Sequence, residues 1–181
     1  MKAATSQRIR SILVANRGEI AIRVMRAASE LGVRTVAIYS QEDRFSLHRT
    51  KADEAYLVGR DRKPVEAYLD IADMLRIARE AQVDAIHPGY GLLSENPELA
   101  RACAAAGVIF IGPEPETMDA LGNKVTARAL AVSAGVAVMP ATGPLPADFA
   151  ECALLARELG YPLMVKASWG GGGREIGRAH V

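Results

Sequence analysis

Residues 12–39 hold two short β-rich runs, Ile12-Leu13-Val14-Ala15-Asn16 and Thr35-Val36-Ala37-Ile38-Tyr39, with a helix-period segment between them. Arg17-Gly18-Glu19 turns the first run into that helix. Ile20, Val24, Ala27 and Leu31 recur at spacings of 4, 3 and 4 and make one apolar face. Arg23, Arg26 and Glu30 take the polar side, with Arg26 and Glu30 at ion-pair spacing, and Gly32 closes the helix. Two strands joined by a helical crossover with short joints form a βαβ unit and lie parallel. This pattern dictates a parallel sheet with helices on its faces.

The same grammar repeats. Ala55-Tyr56-Leu57-Val58, Ala85-Ile86-His87 and Val108-Ile109-Phe110-Ile111 are three further β-rich runs. Asp70 is placed to cap a helix whose buried stripe is Ile71, Met74, Leu75 and Ala78. Asn96, followed by Pro97, starts another. Residues 41–53 are polar, with a short helix expected near 45–51, and residues 59–64 read as a basic surface turn. The fold class expected is α/β, a doubly wound parallel sheet over about residues 10–121. Beyond it, Asn123 caps a helix from Lys124 to about Ala134, with Val125, Ala129 and Val132 facing inward. Three prolines between 138 and 146 confine any strand there to an edge. Asp148-x-x-Glu151 has capping-box spacing for a helix over 149–159.

Composition narrows the classes of function. The 181 residues are half hydrophobic and carry a formal charge of +1, which gives no support for a nucleic-acid partner. No apolar run has the length of a membrane span. Residues 1–10 are too few and too polar for a secretory signal. Cys103 and Cys152 lie in apolar patterns without metal spacing and read as core residues of a reducing compartment, so a cytoplasmic protein is expected.

Two stretches carry chemistry. In the first, an apolar strand, Pro162-Leu163-Met164-Val165-Lys166-Ala167, runs through Ser168-Trp169 into Gly170, Gly171, Gly172 and Gly173. In regular structure each glycine costs roughly 0.5–1 kcal/mol relative to alanine. Four in a row suit a loop whose backbone N–H groups must approach phosphate closely; the alternative is a flexible linker. In the second stretch, the Ala85-Ile86-His87 strand enters Pro88-Gly89-Tyr90-Gly91-Leu92-Leu93-Ser94-Glu95-Asn96-Pro97. Loops at the carboxyl ends of parallel strands are where open α/β sheets bind ligands. Here His87 is a hydrogen-bonded core histidine or a ligand contact, and Tyr90 a packed turn aromatic or a ligand contact. The first turn lacks Gly-x-Gly-x-x-Gly, having only Gly18, so NAD is not expected.

Ala15-Asn-Arg-Gly-Glu-Ile-Ala21, the 87–96 loop, Gly122-Asn-Lys-Val125 and the stretch from Lys166 to Arg174 stand in one order along the chain. Together they resemble biotin carboxylase, the ATP-grasp component of biotin-dependent carboxylases. Finer features resemble the pyruvate carboxylase branch: residues 42–49, 51–56 and 140–144, and Trp169 before the glycines. The resemblance implies a pre-ATP-grasp, Rossmann-like domain over residues 1–121 and the start of an ATP-grasp domain over 122–174. It implies that ATP, Mg²⁺ and bicarbonate serve to carboxylate biotin held on a carrier domain, with pyruvate as the final acceptor. Lys124, Lys166 and Gly170 to Gly173 match ATP-contacting positions; Tyr90 and Gly91 match positions on the biotin side. Arg26 and Glu30 match a helix surface used in dimerisation, so a homo-oligomer is expected of the full-length protein. The family's metal ligands, adenine pocket and catalytic arginine match nothing in this sequence, so no catalytic or metal residue is assigned and the chain by itself is expected to be inactive.

After Arg174 the resemblance breaks. One reverse translation of residues 175–181, gag atc gga aga gca cac gtc, coincides with the start of a common sequencing adapter. The expectation is a non-native tail there, leaving the lysine strand without sheet neighbours. Three other readings compete: the biotin carboxylase subunit of an acetyl-CoA or propionyl-CoA carboxylase; another ATP-grasp ligase such as a carbamoyl-phosphate synthetase, against which the His87–Asn96 loop argues; and a standalone binding or assembly module presenting the Arg26/Glu30 helix.

Overall fold

A computed structural model describes residues 8–166 and 168, together with the backbone of Ile176–Ala179. The chain divides into two compact units, Met1–Pro115 and Glu116–Val181. In the first, strands β1 (Ser11–Val14), β2 (Arg34–Tyr39), β3 (Glu54–Leu57), β4 (Ala85–His87) and β5 (Ile109–Phe110) form one sheet. Their order is β3-β2-β1-β4-β5 and every pairing is parallel. This is the doubly wound sheet that the βαβ pattern dictates.

Each strand turns alternate residues to opposite faces, and different helices cover the two faces. Leu13, Val36, Ile38 and Ile86 pack with Met74 and Ile77 of α3 (Ile71–Glu80) and with Leu99 and Cys103 of α4 (Pro97–Ala105). Ile12, Val14, Ala37 and Ala85 pack with Ala21, Met25 and Ala28 of α1 (Gly18–Glu30). Full burial of one such large side chain stabilises by about 1.5–3 kcal/mol. Between β3 and α3 lies a short helix, α2 (Pro64–Ala67), which delivers Tyr68 into the core at 1 % exposure. Two 3₁₀ turns, Glu42–Phe45 and Leu47–Lys51, take the place of the single short helix expected near 45–51.

The starts of the strands are tied by two matching devices. Asp84, one residue before β4, accepts from the backbone N–H groups of Arg10 (2.8 Å) and Ser11 (3.0 Å) and from the Ser11 hydroxyl (3.1 Å). The Asp84 N–H donates back to Ser11 Oγ. Asp53, one residue before β3, does the same to Thr35 of β2, accepting from its N–H (2.7 Å) and hydroxyl (2.8 Å) while donating to Oγ1. A one-residue slip would turn every side chain to the wrong face, and these boxes close only in the native register.

Further expectations differ from the structure. The stripe Ile20, Val24, Ala27 and Leu31 is not the buried face of α1; Leu31 is 78 % exposed. The helix is apolar over more than half its circumference, and the small Ala21 and Ala28 let it approach the sheet on the adjacent side. After α5 (Pro115–Gly122), α6 (Lys124–Ser133) has no buried residue, and Val125 and Val132 are exposed. The caps, unlike the inward faces, form as their spacing predicts. Asn123 accepts from the Val125 and Thr126 N–H groups, and Asp148 from the Glu151 N–H at the start of α7 (Phe149–Leu159). Finally β6 (Leu163–Lys166) does have a neighbour. It pairs antiparallel with β7 (Ile176–Ala179), Lys166 opposite Ile176. Ladder bonds are made by backbone, so an unpaired apolar edge accepts extended chain of almost any sequence. Cys103 is a core residue as expected, while Cys152 is only half-buried.

Hydrogen bonds donated to Asp53 and Asp84, chiefly from the Thr35 and Arg10 backbone respectively, hold both carboxyls below their ordinary value of 3.8. A depressed native pKa gives stability that is present above about pH 4 and lost as pH falls through the native value. Asp53→Ala and Asp84→Ala are each expected to cost about 1–2 kcal/mol in urea unfolding at pH 7. The double variant should also show a flatter loss of stability below about pH 4 than the parent.

Candidate functional site

Strand order reverses at β1, which sends the chain to β2 on one side and lies beside β4 on the other. The crevice at the carboxyl ends of β1 and β4 is therefore the binding position of this topology. Asn16 stands at the end of β1, 2 % exposed. Its Nδ2 donates to Pro88 O (2.7 Å) and Tyr90 O (3.0 Å), and its Oδ1 accepts from the Arg17 N–H (2.9 Å). The Ala15 N–H donates to His87 O across the same gap. Gly89 is in the left-handed region, φ +67, and a Cβ there would lie 2.7 Å from Asn16 Nδ2 and 2.8 Å from Ile20 Cγ2. Farther along, Leu93 is buried in the α3/α4 core and Leu92 packs beside it. The loop is pinned at both ends, and Tyr90 stands out between them at 65 % exposure. Gly91, φ +68, faces open space.

His87 takes the reading of a hydrogen-bonded, half-buried histidine: its Nδ1 accepts from the Gly89 N–H at 3.0 Å. Burial lowers its pKa, so it stays neutral near pH 7. Tyr90 is not a packed turn aromatic. It borders an open, mainly apolar groove of about 780 Å³ whose other walls include Ile12, Ile20, Val24, Leu31 and Ile111. The displaced stripe of α1 is thus the wall of this groove.

A second polar cluster lies next to Asn16. Arg17 grips Asp43 with both arms of its fork, Nε to Oδ2 at 2.8 Å and Nη2 to Oδ1 at 2.9 Å. The Tyr68 hydroxyl donates to Asp43 Oδ2 (2.8 Å) and accepts from the Ser40 N–H (3.1 Å), and the Ser46 hydroxyl donates to Asp43 Oδ1. Burial alone would raise the Asp43 carboxyl; the bonds from Arg17, Tyr68 and Ser46 outweigh it and hold it below the usual range. Burial pushes the Tyr68 phenol up, and the bond to Asp43 adds to this. His48, 1 % exposed, uses Nε2 on Ile38 O (3.1 Å), and burial keeps it neutral.

In the second unit the Lys124 N–H, at the start of α6, donates to Ser168 O at 2.9 Å. This bond sets the first turn of α6 against the chain two residues beyond Lys166, the last residue of β6. The two lysines matched to phosphate thus come from segments that meet. Gly170, Gly171, Gly172 and Gly173 lie outside the described residues. Among the described residues no group of His, Cys, Asp and Glu could hold a metal ion. Arg26 and Glu30 pair with each other on the exposed side of α1, Nε to Oε1 at 3.2 Å.

Residues 8–118 match the family model of the biotin carboxylase N-terminal domain. The chain belongs to the biotin carboxylase family. Residues 123–180 match the model described as carbamoyl-phosphate synthase L chain, ATP binding domain. Human mitochondrial pyruvate carboxylase is 54 % identical over 95 % of this chain, which spans 15 % of that protein. A biotin carboxylase of Halalkalibacterium halodurans is 53 % identical over 91 % of the chain, here 36 % of the relative. Among solved structures, Rhizobium etli pyruvate carboxylase with acetyl coenzyme-A superposes at TM-score 0.88 and 56 % identity, covering 97 % of this chain and 16 % of that one. Campylobacter jejuni biotin carboxylase in a nucleotide complex gives 0.89 at 39 % identity, covering 97 % and 39 %. The chain therefore spans well under half the length of these biotin carboxylase relatives.

Asn16, Asp43 and Tyr68 were not singled out by sequence reasoning. Asn16 is polar at the end of a buried strand, a signal that a donor is needed there. Asp43 and Tyr68 gave little local signal: apart from Ser46, three residues from Asp43, the groups they bind lie 25 to 28 residues away. Gly89→Ala is expected to destabilise the chain by about 1–3 kcal/mol, more than Gly91→Ala, which meets only the backbone strain. Urea unfolding of the two variants side by side isolates the collision with Asn16 and Ile20.

Proposed function

We propose that this sequence works as the amino-terminal part of a biotin-dependent carboxylase of the pyruvate carboxylase type. The complete protein would use ATP and bicarbonate to carboxylate biotin on a carrier domain and pass the carboxyl group to pyruvate, giving oxaloacetate. The observation that carries this reading is 53–54 % identity to pyruvate carboxylases over 94–95 % of the chain.

The parts present divide the labour. Lys124 and Lys166 supply compact positive charge to phosphate oxygens, and the amides of Gly170 to Gly173 bind around them. Mg²⁺ neutralises the remaining triphosphate charge when bound; its ligands are assigned to residues outside this sequence. Tyr90 and Gly91 face the biotin side, where an aromatic beside an apolar groove can pack a ring and its aliphatic chain. Arg26 and Glu30 lie on the α1 surface we assign to homo-oligomer formation. The two free cysteines suit a reducing compartment, and a cytoplasmic location is part of this proposal.

A second reading, the biotin carboxylase subunit of an acyl-CoA carboxylase, is favoured by the nearly equal match to the Halalkalibacterium biotin carboxylase. Assay of the full-length protein decides between them: carboxylation of pyruvate is expected, and carboxylation of acetyl-CoA or propionyl-CoA instead would overturn the first reading.

In the full-length protein Lys124→Gln and Lys166→Gln are each expected to lower kcat/KM for ATP in bicarbonate-dependent ATP cleavage. The loss of a charge-assisted bond corresponds to roughly 10- to 100-fold. Wild-type kinetics in both variants would remove the phosphate assignment. The 181-residue chain alone is expected to show no carboxylase activity and no micromolar Mg-ATP binding by isothermal titration. Two lysines without the metal's ligands cannot balance a triphosphate.

A further inference from the structure

We propose that Asn16 is a positioning residue for the biotin half of the reaction, holding the 88–90 backbone so that Tyr90 is presented to the groove. The inference rests on the reading of Tyr90 as a biotin-side residue and extends it to a side chain that touches no ligand itself.

The geometry is specific to an amide. A neutral Asn has two N–H donors and one acceptor oxygen on the same planar group. Asn16 uses both donors on the loop, to Pro88 O at 2.7 Å and Tyr90 O at 3.0 Å, and its oxygen on the Arg17 N–H. No other residue of this size offers two donors and an acceptor in one plane. The two carbonyls it engages bracket Gly89, whose left-handed φ and missing Cβ let the amide lie against the turn. Tyr90 receives a hydrogen bond through its own carbonyl, so Asn16 fixes the peptide plane from which that side chain departs. Asn16 is 2 % exposed while Tyr90 is 65 % exposed. Asn16 is therefore in no position to meet a ligand and acts through the loop.

The same geometry explains why the position would reject its isostere. An aspartate of the same shape has no donor, and at neutral pH it would set a negative charge against two carbonyl oxygens at 2.7 and 3.0 Å. The Arg17 N–H contact would survive, so the loop side alone is lost.

The test uses the full-length carboxylase with free biotin as the acceptor and four variants: Asn16→Ala, Asn16→Asp, Tyr90→Ala, and Asn16→Ala with Tyr90→Ala. Asn16→Ala is expected to lower kcat/KM for biotin roughly 10- to 100-fold, the scale of a misplaced contact, while KM for ATP is unchanged. Asn16→Asp should lose more than Asn16→Ala. The double variant should be no worse than Tyr90→Ala, because a residue acting through Tyr90 has nothing left to act on. Loss of ATP and biotin kinetics together, or additive losses in the double variant, would overturn the inference in favour of a general stabilising role. If Asn16→Asp does not fold, Asn16→Ala and the double variant decide by themselves. Wild-type biotin kinetics in Tyr90→Ala would overturn the underlying reading and the inference with it; an effect of Tyr90→Ala with none from Asn16→Ala would overturn the inference alone.

Discussion

Strand β1 is hydrogen-bonded to parallel neighbours on both edges, β2 on one side and β4 on the other. Its backbone N–H and C=O groups are committed to the sheet, and its side chains alternate between the two cores. The freedom left to it lies at its two ends. At the amino end Ser11 is held by Asp84; at the carboxyl end Asn16 and Arg17 reach into the loops after β4 and β2. A residue placed there inherits the rigidity of the whole sheet. This is the physical reason that a loop carrying an exposed tyrosine keeps one shape.

Much of this was legible in the sequence because it is local. Asp70, Asn96, Asn123 and Asp148 cap helices as their spacing says, since a cap needs only a donor two or three residues on. Strand β4 begins and ends where the apolar run does, and Gly32 closes α1 at φ +69. What was not legible depends on partners far along the chain. The α1 face chosen by the sheet could not be read from helical period, because two adjacent stripes are both apolar and alanines at 21 and 28 decide by allowing the closer approach. The Arg17–Asp43–Tyr68 cluster joins a turn, a 3₁₀ segment and a short helix that no period marks. The Tyr90 loop was visible as a site from its glycines and its place after a strand; the amide that shapes it was visible only as one letter in a motif.

The two units differ in how their side chains are used. The first buries apolar residues on both faces of a sheet. In the second, α6 and α7 show no buried residue and Met139 and Phe149 stand more than four-fifths exposed. The chain spans 15 % of human pyruvate carboxylase and 39 % of the Campylobacter biotin carboxylase, so these exposures are those of this stretch of sequence alone.

The paired aspartate boxes also bear on the order in which the sheet assembles. The Thr35–Asp53 box closes a loop of 18 residues, whereas the Ser11–Asp84 box spans 73. Loop-closure entropy grows with the logarithm of length, so the longer closure costs about 1.2 kcal/mol more before any contact is gained. On loop-closure entropy the β2–β3 edge is therefore the cheaper seed, and the β1–β4 closure the costlier step. The crevice between β1 and β4, where Tyr90 is displayed, thus depends on the costlier of the two closures.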